Sequence, residues 1–178
     1  NIMNIIYTLI KQMINKIHNL TKNEFIEVFG NIFENARWIA EKLYNQKPFK
    51  DFEDLSQKML NIFENIDKEK KLEIINSHPD LADKTKIGSL TPDSNKEQNT
   101  AGLDKCSEEE FNEFKKLNIK YKEKFGFPFI YAVKGKSKNE ILNNFKERVA
   151  YDINVEFEEA KKQIKKIASL RLNEINKK

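Results

Sequence analysis

Cysteine is almost missing from this chain. Cys106 is the single one in 178 residues, so no disulfide can form within it, and a reducing compartment suits it. Histidine is nearly as scarce. His18, His78 and one thiol cannot assemble a zinc-type cluster, although a carboxylate-only metal site stays open; no calcium-loop spacing is present. Five glycines and four prolines make no linker, and neither a repeat nor a low-complexity stretch divides the chain. A membrane-spanning run is also lacking. The apolar opening, residues 1–20, is broken by Lys11, Gln12, Asn15 and Lys16 and shows no cleavage pattern. The terminal residues Asn176, Lys177 and Lys178 do not form a peroxisomal tripeptide, so a cytoplasmic location is expected. Finally, charge of one sign is not in excess. The 32 basic and 28 acidic residues interleave and leave only +4, without the basic stripe that a nucleic-acid surface needs; no nucleic-acid or membrane partner is expected.

What is present is enough for a core. Hydrophobic residues make up 39%, including 13 Phe, and a chain of this length buries roughly 70% of its unfolded surface without a disulfide or metal staple. The dominant period is helical. Between about Thr21 and Tyr44, Phe25, Phe29, Ile32, Phe33, Ala36, Ile39, Ala40 and Leu43 recur at spacings of three and four, which predicts one long helix opened by a Thr21–Glu24 capping box. Phe52, Leu55, Met59, Ile62 and Phe63 predict a second helix. Leu72, Ile74 and Ile75 predict a third that stops near His78, because Pro79 disfavours helical geometry before it. Residues 80–93 read as loop. Ser94 with Glu97, Ser107 with Glu110 and Ser137 with Glu140 read as capping boxes of three further helices. Gly126 closes the middle one, and a last helix runs from about Asn154 to Ile175. Phe127 to Val133 is the one strand-like run and is expected as a buried extended segment. The expectation is an all-α, single-domain bundle of about seven helices, with residues 1–19 as an amphipathic extension and 20–178 as the domain proper.

Three features resist a purely structural account. Only three basic residues are arginines: Arg37, Arg148 and Arg171. At about 100° per residue, Arg171 falls on the apolar stripe of the last helix with Ala160 and Ile164, and therefore points inward. An inward guanidinium suits bidentate recognition of a carboxylate or phosphate; an ion pair with a buried Glu, or an arginine that packs its stem and exposes its head, explains it equally well. Arg148 is a weaker case, read as a structural pair. His78, at a helix end before Pro79, carries a group that exchanges protons near neutral pH, and a surface or capping histidine is the alternative. His18 is read as structural. The run Ser94-Asn95-Lys96-Glu97-Gln98 serves either as a helix cap or as an anion-binding helix start with Glu97 orienting a histidine.

Taken in order, the motifs resemble one family. They are His78-Pro79-Asp80-Leu81-Ala82, then Ser94-x-x-Glu97-Gln98 with Ala101-Gly102-Leu103, then Phe125-Gly126-Phe127-Pro128-Phe129, and last Gln163-Ile164-x-x-Ile167-x-x-x-Arg171-Leu172. Phe29-Gly30-x-Ile32-Phe33-Glu34, Trp38-Ile39-Ala40-Glu41 and Pro48-Phe49 fit as well. The chain resembles the 2-oxo-4-hydroxy-4-carboxy-5-ureidoimidazoline (OHCU) decarboxylases of urate breakdown over about Leu20 to Leu172. It departs from them at Ala36-Arg37, where the family usually has Ser-Pro, and at Tyr151, where Asn is frequent.

The resemblance implies a carboxy-lyase that needs no cofactor and no metal, forms a homodimer, and acts on a small ureidoimidazoline. It implies His78 and Glu97 as catalytic residues, the imidazole relaying protons and Glu97 orienting it. Pro79, Ser94, Asn95, Lys96, Glu97, Gln98, Phe129, Ile130, Tyr131, Ala132, Val133 and Arg171 are implied as substrate-binding. A non-enzymatic helical interaction module, or an enzyme acting on another ureide of purine breakdown, are the competing readings.

Overall fold

The computed structural model describes residues 2–177; Asn1 and Lys178 lie outside the described residues, as do the side chains of residues 2–10, Lys84, Lys86 and Ile87. Nine α-helices are present among the described residues: α1 (Ile2–Asn19), α2 (Lys22–Phe29), α3 (Arg37–Tyr44), α4 (Phe52–Asn65), α5 (Lys68–Asn76), α6 (Pro92–Thr100), α7 (Glu108–Phe125), α8 (Lys138–Arg148) and α9 (Ile153–Asn176). The class is all-α, as the sequence predicts, with two helices more than the seven expected. The chain divides into two compact units. One comprises Asn1–Lys71 with Ala168–Lys178; the other comprises Leu72–Ile167.

In the first unit the predicted long helix over 21–44 is two helices. The Thr21–Glu24 capping box opens α2 as expected. The chain then turns at Gly30, where a Cβ would lie 2.4 Å from the Ile26 carbonyl oxygen, and passes through Asn35 at a φ of 51°. The apolar residues keep their phase across this interruption, which is why periodicity alone ran the two together. Ala36 gives α3 no side-chain cap, but Arg37 pairs with Glu27 across the turn. The core of the unit is aromatic. Phe25 and Phe29 are wholly buried with ring centroids 4.6 Å apart, and Phe33 stacks on Phe63 at 5.2 Å.

The amphipathic pattern expected of residues 1–19 falls partly on side chains outside the described residues, but the second half of α1 is tied down. Ile14 and Ile17 are buried. His18 Nε2 accepts from the Phe49 amide at 2.9 Å, which gives this histidine a structural post. Lys47 donates to the carbonyls of His18 and Leu20, both at 3.1 Å, while its ammonium lies 4.1 Å from the Tyr44 ring centroid. Burial holds the Lys47 amine below the usual lysine range.

In the second unit α7 and α8 start at the predicted Ser107–Glu110 and Ser137–Glu140 boxes. Gly126 ends α7 at a φ of 77°, with its N–H on the Lys122 carbonyl at 2.9 Å. The expected extended segment follows, and Phe127, Phe129, Ile130, Ala132 and Val133 are all buried. Phe129 stacks on Phe145 with centroids 3.9 Å apart, and Tyr121 meets both rings edge-on. Burying such rings contributes about 2–3 kcal/mol each.

Candidate active site

The segment after α5 carries His78. Its amide donates to the Ile75 carbonyl at 3.2 Å, and ring nitrogen Nδ1 lies 3.0 Å from the Ile74 carbonyl oxygen. A carbonyl only accepts, so this contact puts the ring proton on Nδ1 and makes Nε2 the basic nitrogen of the neutral imidazole. The residues that follow are clamped from two helices. Gln98 accepts from the Ala82 amide at 3.1 Å and donates to the Asp80 carbonyl at 3.2 Å. Asn118 and Lys122, one turn apart on α7, donate to the Leu81 carbonyl at 3.0 Å and to the Asp80 carboxylate at 2.6 Å. These bonds hold Ala82 at a φ of 54°, a left-handed conformation that costs an alanine roughly 1–2 kcal/mol.

Helix α6 starts differently from the expectation. Thr91, not Ser94, is the N-cap: its hydroxyl accepts from the Ser94 amide at 3.3 Å, and Pro92 occupies the first turn. The Asn95 amide goes to the Thr91 carbonyl at 2.9 Å. The amides of Ser94 and Asn95 are thus engaged within the first turn of the helix. Residues 80–93, expected as loop, also include the 3₁₀ turn Lys84–Ser89 and the first turn of α6. Shifting the helix start by three residues places Ser94, Glu97 and Gln98 at i, i+3 and i+4, on one face.

That face borders a narrow cleft, open to solvent, which His78, Pro79, Leu81, Ser94, Glu97, Gln98, Phe129, Ile130, Tyr131, Val133 and Ile167 line. One wall is the extended segment, held from behind by Arg148. This guanidinium is 2% exposed; it donates from Nη1 to the Ile130 carbonyl at 2.7 Å and lies 4.4 Å from the Phe129 ring centroid. Glu156 completes the pair, taking Arg148 Nε at 2.8 Å, Arg148 Nη2 and the Tyr121 hydroxyl on the same oxygen. Burial and that carboxylate push the Tyr121 phenol far above the ordinary tyrosine range.

Of the residues singled out from sequence, the cleft brings together His78, Pro79, Ser94, Glu97, Gln98, Phe129, Ile130, Tyr131 and Val133. It does not include Asn95, whose side chain meets Asn99 along α6, nor the exposed Lys96. Ala132 is buried, with its amide donating to Gln163 at 3.0 Å. Arg171 belongs to the other unit, where it is 7% exposed and donates to Glu34 at 3.0 Å and to the Asn31 carbonyl at 3.1 Å. Leu81 and Ile167 line the cleft without having been singled out. Their apolar type carries no chemical signal, although each sits inside a motif noted above.

Compared with known proteins, residues 18–173 match the family model described as OHCU decarboxylase. The chain is 34% identical to the 2-oxo-4-hydroxy-4-carboxy-5-ureidoimidazoline decarboxylase of Halalkalicoccus jeotgali, with 89% of each chain covered. The chain belongs to the OHCU decarboxylase family. This family member is also 41% identical, over 90% of its length, to a uric acid degradation bifunctional protein of Bacillus sp. (strain TB-90), of which it spans 31%. Among solved structures, it is similar to a crystal structure of (S)-allantoin synthase, with a TM-score of 0.72 and 26% identity over 91% of this chain and 53% of that one. A crystal structure of OHCU decarboxylase in the presence of (S)-allantoin gives a TM-score of 0.66 and 27% identity, covering 79% of this chain and 92% of that one.

Proposed function

We propose that this chain decarboxylates OHCU to (S)-allantoin and CO₂ in urate degradation, and that the cleft around His78 is where it does so. The observation that carries the reading is the convergence of His78, Ser94, Glu97 and Gln98 on one cleft, from two elements of a family member. In OHCU the carboxylate sits on the hydroxyl-bearing carbon, next to the ring C=N. When the bond to CO₂ breaks, its electron pair flows into that C=N and the ring nitrogen gains a proton. The substrate thus supplies its own electron sink, and no cofactor enters the route. The resulting enol loses its hydroxyl proton and gains one at the ureido-bearing carbon, and delivery to one face gives the S product. His78 Nε2 is the assigned carrier of these protons, with Glu97 favouring the charged ring. Ser94 and Gln98 are assigned polar contacts to the substrate, and Pro79 and residues 129–133 its walls and backbone contacts. By resemblance, Arg171 is assigned the substrate carboxylate. The proposal also includes a homodimer, a cytoplasmic location and a boundary at residue 20 between an extension and the catalytic part; light scattering of the purified chain tests the dimer.

The activity test uses OHCU generated freshly from urate. CO₂ release and optical activity are followed with and without protein. OHCU decays unaided to racemic allantoin, so the expected result is faster, one-handed product, abolished in His78→Asn. Equal rates with and without the wild-type chain sink the reading.

A further inference from the structure

Two peptide planes in the cleft wall are gripped from outside the cleft. Arg148 Nη1 donates to the Ile130 carbonyl at 2.7 Å, and the Ala132 amide donates to Gln163 Oε1 at 3.0 Å. Neither Arg148 nor Gln163 lines the cleft, whereas Ile130 and Tyr131 do. Both grips are themselves fixed. Arg148 is locked by two bonds to Glu156, and Gln163 Nε2 donates to Glu159 at 2.8 Å, which turns its Oε1 toward Ala132.

The consequence lies in the residue between them. Both planes are trans, since Lys47–Pro48 is the cis bond among the described residues, and in a trans peptide C=O and N–H point in opposite directions. With the Ile130 carbonyl turned to Arg148, the Tyr131 amide points away from Arg148. With the Ala132 amide turned to Gln163, the Tyr131 carbonyl points away from Gln163. Among the described residues neither of these Tyr131 groups has a hydrogen-bond partner. Main-chain polar groups beside a buried wall rarely go unsatisfied.

We propose that Arg148, anchored by Glu156, and Gln163 are positioning residues that hold the Tyr131 N–H and C=O toward the cleft as a paired donor and acceptor for the N–H/C=O edge of a ureide. The proposal rests on the decarboxylase reading and adds to it the residues that set the substrate's orientation. It explains why an inward arginine and a glutamine that never touch the cleft occupy these positions. Such bonds act equally on bound substrate and transition state, so their loss raises KM and spares kcat.

The test compares wild type, Gln163→Met, Gln163→Glu combined with Glu159→Gln, and Arg148→Lys on freshly generated OHCU, with folding checked by circular dichroism. Gln163→Met keeps the side-chain length and removes the acceptor; KM is expected to rise roughly tenfold with kcat within about twofold. Gln163→Glu retains an acceptor oxygen for the Ala132 amide and is made together with Glu159→Gln, so that the new carboxylate faces an amide donor; this combination is expected to restore KM to within about threefold of wild type. Arg148→Lys is expected to raise KM in the same way, and should it fail to fold, the Gln163 pair decides. A folded Gln163→Met with unchanged KM, or with kcat reduced at constant KM, overturns the proposal while the decarboxylase reading survives. A wild-type chain inactive on OHCU overturns both.

Discussion

The Nδ1 nitrogen of His78 lies 3.0 Å from the carbonyl oxygen of Ile74, one helical turn back in the sequence. The ring is thereby tied on its proton-bearing side to the end of α5, and its basic side is defined by default. His78→Asn is expected to lower kcat by about 10²–10⁴ and to abolish the handedness of the product, with the melting midpoint nearly unchanged. Asn118→Leu, which removes the bond to the Leu81 carbonyl from outside the cleft, is expected to cost about 1–2 kcal/mol of stability. Its kcat should fall less than roughly tenfold. Polarimetry, CO₂ release and urea denaturation separate the two effects.

Arg171 and Glu34 form an ion pair that is almost wholly buried. Arg171→Met removes the guanidinium from a buried carboxylate and is expected to destabilise by about 3–5 kcal/mol. The double variant with Glu34→Leu should recover most of that loss. Arg171→Lys keeps the charge but not the planar fork; it is expected to be closer to wild type in urea denaturation while its KM rises. A KM unmoved in Arg171→Lys removes the substrate role and leaves the ion pair.

Tyr121 shares one oxygen of Glu156 with Arg148, and its phenol is held above the ordinary range. A group whose folded pKa is raised stabilises fully below its unfolded value, near 10 for tyrosine, and that contribution is lost as pH climbs. Urea midpoints are expected to fall steadily above about pH 10, and one tyrosine should ionise only as the protein unfolds. Tyrosinate absorbance against pH, in wild type and Tyr121→Phe, reads this out.

The acid limb has the opposite sign. Backbone hydrogen bonds from Thr21, Ser107 and Ser137 lower the carboxyls of Glu24, Glu110 and Glu140, and the Lys50 amide lowers Asp54. Depressed groups stabilise above their unfolded values, near 4, and lose that contribution as pH falls through the folded ones. Stability should drop between about pH 5 and pH 3, and the slope should flatten in Glu110→Gln and Glu140→Gln. Denaturation midpoints across that window decide it.

Removal of residues 1–19 takes away His18 and the buried Ile14 and Ile17, and uncovers the Phe49 amide. This truncation is expected to lower the melting midpoint by several degrees, at about 2–4 °C per kcal/mol for a chain of this length. Removal of residues 1–12 retains all three contacts and should cost less. Calorimetry on both truncations is the check.

Most helix boundaries were legible because caps act within four residues. Thr21–Glu24, Ser107–Glu110 and Ser137–Glu140 cap as read, and Gly126 terminates α7. Ser94–Glu97 has the same pattern and does not cap, because Thr91 followed by Pro92 starts the helix one turn earlier. The turn between α2 and α3 is invisible to periodicity because its apolar residues stay in phase, although Gly30 and Asn35 mark it. At the site, His78 and the face of α6 could be named from local signals. Leu81 and Ile167 could not, since an apolar cleft residue looks like any core residue.

Local sequence is enough to specify the all-helical class, the buried extended segment and the inward direction of Arg171, and more weakly that of Arg148. These depend on periodicity and on hydrogen bonds between near neighbours. Tertiary structure decided which carboxylate each arginine meets, Glu156 eight residues away and Glu34 137 residues away. It also decided which faces of α6 and of the 127–133 segment meet across the cleft. Helical phase tells a side chain to leave solvent, but a buried charge takes whichever partner the packing of distant segments brings within hydrogen-bond reach.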